Sequence, residues 1–551
     1  MLHPHWALTL VTLAVLAPFL AKPFNIDDPL FVWTARQIQL HPGNPYGFDV
    51  NWYGVSQPMW SVTENPPLAS YYLALAATIF GWSEVALHSA FLLPAIAVIL
   101  GTYRLARYFC DHPALAALAT LFAPVFLVSS TTLMCDVLML AFWVWAILFW
   151  IEGTERNNFR QLCVAGLLIA LAELTKYFGA CLIPLLAAYS LISRRPLKTW
   201  GASLLIPLAA LCAYQWATFA LYGYALMSEA ANYAAYAKGV IGFSGITEGL
   251  VALTFTGGCL AVAVFFAPLL WRKRTLVALA AGAALIIAAL FIREAVMKKY
   301  SAIPGAFQSF VEIQIVFWAT GGVCVLALPI ADILRRRDAR SWLLLSWMSG
   351  TFIFAAFINW TVNSRSILPM APAMGILLAR NLDQKNFTGR KNWPIAVVIA
   401  FVLGATLALL VARADFLLAK AVRQSAGQVA ANYGRGPGTL WFQGHWGFQY
   451  YMAASGASAM DSEHFALKPG DNLVLPVNNT SLFPVNSKIT ALRETIAVSS
   501  PRLLATWNAP AGAGFYASTE GPLPFAIGNA PPENVFVFAV KRPVSVPPRK
   551  F

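Results

Sequence analysis

Trp6-Ala-Leu-Thr-Leu-Val-Thr-Leu-Ala-Val-Leu-Ala-Pro-Phe-Leu-Ala-Lys22-Pro-Phe24 runs directly into Asn25-Ile-Asp27-Asp28-Pro29. The first part is apolar and long enough to cross a bilayer, which takes about 20 residues. Only His3 and His5 precede it, and no Ala-x-Ala cleavage site follows, so it reads as an uncleaved membrane helix and not a signal peptide. Two adjacent carboxylates therefore stand where a membrane helix ends. Residues 25–85 beyond them are polar, aromatic and Pro-rich and cannot lie in lipid.

The rest of the chain has the same character. Hydrophobic residues make up 59% of the 551 and charged ones 11%, against about 45–50% and about 25% in soluble domains. A soluble enzyme, a disordered protein and a disulfide scaffold are excluded. Apolar segments recur at 86–107, 114–130, 132–151, 161–176, 177–193, 200–221, 250–270, 275–292, 310–333, 341–359, 364–380 and 393–413. With the first helix they predict an all-α membrane domain, 1–413, of about thirteen crossings. Residues 414–551 mix a helical stretch near 415–432 with β-prone runs, Asn472-Leu-Val-Leu-Pro476 and Asn534-Val-Phe-Val-Phe-Ala-Val540, and predict a small soluble α/β domain.

The net charge of +14 does not point to nucleic acid, because the cations sit in short loops between apolar segments: Arg104/Arg107, Arg156/Arg160, Arg194/Arg195/Lys198, Arg272–Arg274, Arg335–Arg340 and Arg380–Lys391. With a cytoplasmic N-terminus all of them fall on the cytoplasmic side, as the positive-inside rule requires. The loop 25–85 and the tail then lie outside. The seven cysteines all fall in the membrane part without CxxC spacing, and read as packing residues.

Ionisable groups near lipid are costly and point to function. Asp27 and Asp28 open a helix, with Asp28-Pro29 resembling an N-cap followed by proline. Glu64, in Thr63-Glu-Asn-Pro-Pro-Leu68, is held before the next helix by two prolines. Asp136 starts the 132–151 segment. Glu173 and Lys176 lie three apart and are placed to pair on one helix face, with Lys176 at the outer turn. Arg365, in Asn363-Ser-Arg-Ser-Ile-Leu-Pro369, stands at the outer end of a Pro-interrupted helix, where it would meet a buried anion. Carboxylates and cations on one leaflet suit attack by a hydroxyl with departure of a phosphate: a base takes the proton and the cations stabilise the leaving charge.

With these motifs in order, the chain resembles the GT-C membrane glycosyltransferases, in the bacterial branch akin to protein O-mannosyltransferases and the lipid A aminoarabinose transferase. The motifs are Asp27-Asp28, Glu64-Asn-Pro-Pro-Leu68, Gly81-Trp-Ser-Glu-Val-Ala-Leu-His88, Asp136, Leu174-Thr-Lys176, Arg365-Ser-Ile-Leu-Pro369 and Gly444-His-Trp-Gly-Phe-Gln-Tyr-Tyr451. The resemblance implies a polyprenyl-phosphate-linked sugar donor, a lipid or protein acceptor, inversion at the anomeric carbon, and a multi-pass protein of the bacterial inner membrane with a periplasmic C-terminal domain. It makes Asp27 the base, assisted by Asp136. Lys176 and Arg365 become the donor-phosphate contacts, and Glu64 matches an acid that can hold a divalent ion in relatives; no other cofactor is implied. Asp28, Glu173 and His88 would support the site. The aminoarabinose enzymes carry Lys at position 65, and relatives often carry Arg at position 88, so the resemblance extends to the reaction and not to the sugar. A lipid-linked saccharide flippase or an O-antigen ligase is the alternative. The former would place charge at the bilayer midplane, and the latter would rest on an arginine/histidine constellation. The tail histidines His445 and His464 have no partner at metal spacing, and the 444–447 loop is expected to rest on the membrane domain.

Overall fold

A computed structural model describes residues 3–242, 245–275, 277–278, 281–282, 300–385, 393–499, 503–528 and 530–546. Among them six helices are long and apolar enough to cross a membrane: Glu84–Ala106, Asp136–Glu155, Leu197–Tyr222, Gly305–Arg336, Ala339–Ile358 and Pro394–Tyr433. The bent pair Leu226–Ile241 and Gly245–Cys259 makes a seventh if counted as one span. Shorter apolar helices cover Pro4–Phe19, Leu68–Phe80, Tyr177–Ile192 and Ala261–Leu270. The architecture is therefore helical with a strand-rich C-terminal part. Several segments expected as single crossings are broken. The 114–130 segment is two helices, Pro113–Leu121 and Pro124–Ser129, and 364–380 is Ser364–Ile367 followed by Met370–Asp383. Each second piece begins at or just after a proline, which has no N–H to donate and whose ring opposes a continuous helix. The 275–292 segment falls largely outside the described residues, as do Arg390 and Lys391.

Side-chain caps fix several helix starts. Ser83 accepts from the Ala86 amide, Asn158 from Arg160 and Gln161, and Asp338 from Ser341. The basic loops gather at one end. Arg104, Arg107 and Arg156 line a common pocket, Arg340 pairs with Glu155 at 2.6 Å, and buried Arg380 pairs with Asp332 and Asp338. The helix Asp136–Glu155 leads from Asp136 to this end, about 30 Å away at 1.5 Å per residue.

The last crossing does not stop where its apolar residues thin out. Trp393–Tyr433 is one helix of 41 residues, and it carries the position 413/414 in its interior. Its final turns pack against a five-stranded sheet. Across the sheet the strands run Ser458–Ala459, Leu440–Phe442, Asn472–Pro476, Glu533–Val540 and Thr490–Val498. The first three are parallel, and Glu533–Val540 is antiparallel to both its neighbours. Val429, Phe442, Val474, Val535 and Val537 fill this separate core. The stretch 504–526 behaves differently: Leu504, Trp507, Phe515, Tyr516, Leu523 and Phe525 are buried in the core of the membrane helices.

Candidate active site

The site begins at a left-handed turn. Ile26 has φ 48°, a conformation that a β-branched residue adopts only under constraint from its surroundings. The turn sends the next two carboxylates to different places. Asp28, fully buried, accepts from the amides of Asn25 at 3.0 Å and Leu133 at 2.8 Å, tying its loop to the one that leads into Asp136. It is the first residue of the helix Asp28–Leu40 and not its cap; Asp27 occupies the N-cap position. Asp27 instead turns towards Arg365, with Nη2 2.9 Å from Oδ2.

Asp136 starts its helix with a buried carboxylate. Lys176 Nζ donates to its Oδ1 at 2.6 Å, and Arg365 Nη1 stands 3.9 Å from Oδ2. Lys176 reaches it because it has left the helix Phe159–Thr175, with extended backbone at φ −154°. Gly179 makes the turn after it possible: a Cβ there would lie 2.4 Å from the backbone of Ala172 and Glu173. Lys176 therefore does not pair with Glu173, whose buried carboxylate has no hydrogen-bond partner among the described residues.

Asp27, Glu64 and Arg365 line one cavity of about 120 Å³ with Tyr46, Trp52, Tyr53, Tyr233 and Trp360. Burial, and next the Asp27 carboxylate, push the Glu64 carboxyl up to about 8, against the opposing pull of Arg365 and Lys176. Aromatic faces around a few polar groups are the composition of a small-molecule pocket. Among the described residues no three His, Cys, Asp or Glu side chains gather as metal ligands. Glu64 and Asp27 are the two carboxylates that line the cavity, and Arg365 engages Asp27. Among the described residues the cavity therefore offers Glu64 and Asp27 and no third carboxylate in its lining for a divalent ion.

His88 lies elsewhere. Its ring is buried beside Phe24, and its Nδ1 is 2.8 Å from the Glu84 carbonyl. The C-terminal part covers the cavity wall. Gly447 sits so close that a Cβ would meet the Phe24 carbonyl at 2.2 Å, Gln449 donates to Asn51 O at 2.6 Å, and the His445 ring lies 4.9 Å from Trp52. Residues 444–447, read from the sequence as a loop, thus rest on the N-terminal part at Phe24 and Trp52, with Trp446 and Gly447 opening the helix Trp446–Ala454. Burial pushes His445 down to about 3, so its ring is neutral. His464 faces Asp461 at 3.6 Å on the surface.

One group escaped the sequence reading. Asp415, in the long helix, is fully buried and ion-paired with Lys22. It also accepts from Thr506 at 2.9 Å and from the Tyr516 hydroxyl, 3.0 Å from one carboxylate oxygen and 2.9 Å from the other. Its sequence context, Ala414-Asp-Phe, carries no local signal of this.

Residues 64–219 match the family described as dolichyl-phosphate-mannose-protein mannosyltransferase; Glu64, Asp136 and Lys176 lie within that stretch. No curated protein matches the chain by sequence. The oligosaccharyltransferase of Archaeoglobus fulgidus, tethered with an acceptor peptide, is similar in structure at TM-score 0.50 and 14% identity, over 83% of this chain and 63% of that one. ArnT from Cupriavidus metallidurans, bound to undecaprenyl phosphate, aligns at TM-score 0.47 and 14% identity, over 86% of this chain and 92% of that one. The chain spans a little under two thirds of the oligosaccharyltransferase's length. The chain shares its fold with that oligosaccharyltransferase, and the resemblance carried by the sequence motifs is borne out by the family match over 64–219.

Proposed function

We propose that this chain is an inverting membrane glycosyltransferase that moves a sugar from a polyprenyl-phosphate donor to a hydroxyl or phosphate of a lipid, an envelope glycan or a protein. We assign the reaction to the periplasmic face of a bacterial inner membrane, with residues 1–413 spanning about thirteen times and 414–551 on that face. The observation that carries the reading is the pairing of Asp27 with Arg365, and of Asp136 with Lys176 and Arg365, at an aromatic-lined cavity.

In this reading the donor phosphate competes with Asp27 for Arg365. Once Arg365 turns to the phosphate, Asp27 is free to take the proton of an acceptor hydroxyl. The hydroxyl oxygen forms its bond to the anomeric carbon from the face opposite the phosphate. The carbon–oxygen bond to the phosphate breaks, and its electron pair leaves on the phosphate, where Lys176 and Arg365 meet the charge. Asp136 holds Lys176 in place. Trp360, Tyr53 and Tyr233 offer faces for a sugar ring. Purified protein in liposomes, supplied with a panel of polyprenyl-phosphate sugars and with lipid A or peptide acceptors, should yield a glycosylated acceptor by mass spectrometry. Absence of any transfer across the panel would refute the reading.

A further inference from the structure

We infer that Asp415 is a positioning residue for the Asp27–Asp136–Arg365 cluster, acting through Lys22 and Tyr516. The inference rests on the glycosyltransferase reading of that cluster and extends it to a part of the chain that touches no reacting group.

Three chain segments bring the charged groups together, and each has a link to Asp415. Lys22 stands five residues before Asp27 on the same turn-forming stretch, and its ammonium pairs with Asp415. The same ammonium donates to Thr131 Oγ1 at 3.2 Å. Thr131 in turn stands five residues before Asp136, in the loop that Asp28 grips at Leu133. The third link runs through Tyr516, whose hydroxyl donates to Asp415. Its neighbour Phe515 accepts from the Ser364 amide at 2.9 Å, and Ser518 donates to the Val362 carbonyl at 2.8 Å. A second contact, 3.0 Å between the hydroxyls of Ser518 and Thr361, closes this clip on the segment that carries Arg365.

Lys22, Asp415 and Tyr516 are all buried, and in low dielectric such a network is stiff when each member is satisfied. Asp415 uses both oxygens, between Lys22, Thr506 and Tyr516. Its distance in sequence from every charged group of the site makes it a tie between segments, and its hydrogen-bond and ion-pair partners among the described residues, Lys22, Thr506 and Tyr516, are not part of the cavity lining. Small displacements of reacting groups are expensive, about 10²-fold for about 1 Å, so a tie at this point sets the rate without entering the chemistry.

The test uses the full chain in liposomes with a polyprenyl-phosphate sugar, comparing Asp415→Asn and Tyr516→Phe with the parent. Tyr516→Phe keeps the ring and removes only the hydroxyl, which guards against a fold too damaged to read. We expect kcat/KM per folded molecule to fall about 10²-fold, with the donor KM raised because Arg365 is no longer held. Amide hydrogen exchange should accelerate at 131–136 and 361–367 and stay unchanged at 372–382. Unchanged exchange in the first two segments overturns the inference. So does faster exchange with an unaltered donor KM, which marks a purely structural tie. If the parent itself transfers no sugar, the functional reading falls, while the exchange result still decides whether Asp415 links the three segments.

Discussion

Arg365 and Asp27 form an ion pair at 2.9 Å across the cavity, joining the candidate base to a candidate phosphate contact. In the proposed reaction the two groups cannot both act in this arrangement, and donor binding would separate them. Asp27→Asn should therefore leave a folded, inserted protein whose transfer rate is about 10²–10⁴-fold lower. Normal transfer by that variant, measured with a polyprenyl-phosphate sugar, would remove Asp27 from the base role.

Lys176 neutralises the buried carboxylate of Asp136. Lys176→Met should destabilise the protein, by less than the cost of about 3–5 kcal/mol for a buried charge left wholly uncompensated, because Arg365 stays 3.9 Å from the Asp136 carboxylate. Pairing it with Asp136→Leu should restore most of the thermal stability and none of the activity. A double variant as unstable as the single one would show that the pair is not the source of the loss.

Glu64 gives a pH signature. Its carboxyl lies near 8 in the fold, raised by burial and by Asp27, above its ordinary value of 4.5. Between those two values the unfolded chain has released the proton and the folded one retains it. The group's contribution to stability is thus full below about 4.5 and is lost as pH rises towards 8. Thermal unfolding of Glu64→Gln should lack this part of the decline, so that the variant gains on the parent between pH 5 and 8. Parallel curves would contradict the assigned shift.

Two glycines report on close approaches. Gly179→Ala should displace the Lys176 turn, because its Cβ would meet backbone at 2.4 Å; donor affinity should fall along with stability. Gly447→Ala should push the C-terminal part off Phe24, and limited proteolysis should then cut the 444–460 region faster than in the parent.

Much of the site is legible in the sequence, because ionisable groups near lipid and away from the basic loops are costly and stand out. Asp27, Asp136, Lys176 and Arg365 stand out on that ground, and the structure brings them together. Local spacing fails where the chain departs from regular helix: Glu173 and Lys176 are three apart, yet Lys176 leaves the helix and finds Asp136. His88 reads as a companion of the site, but packing turns it towards Glu84 and Phe24. The broken segments follow prolines that are visible in the sequence, although apolar run length alone hides them. Asp415 is out of reach of any such reading, since its partners lie at Lys22, Thr506 and Tyr516 and no periodicity spans that distance.

The clip between Phe515–Ser518 and Val362–Ser364 has a consequence for biogenesis. A ribosome releases Arg365 long before residue 515 has been made, so the nascent chain holds every charged group of the cavity while the clip is still missing. Maturation then coincides with the arrival of the final stretch. A product halted near residue 500 would carry all of Asp27, Asp136, Lys176 and Arg365 and still lack the hydrogen bonds that Phe515 and Ser518 make to the segment bearing Arg365.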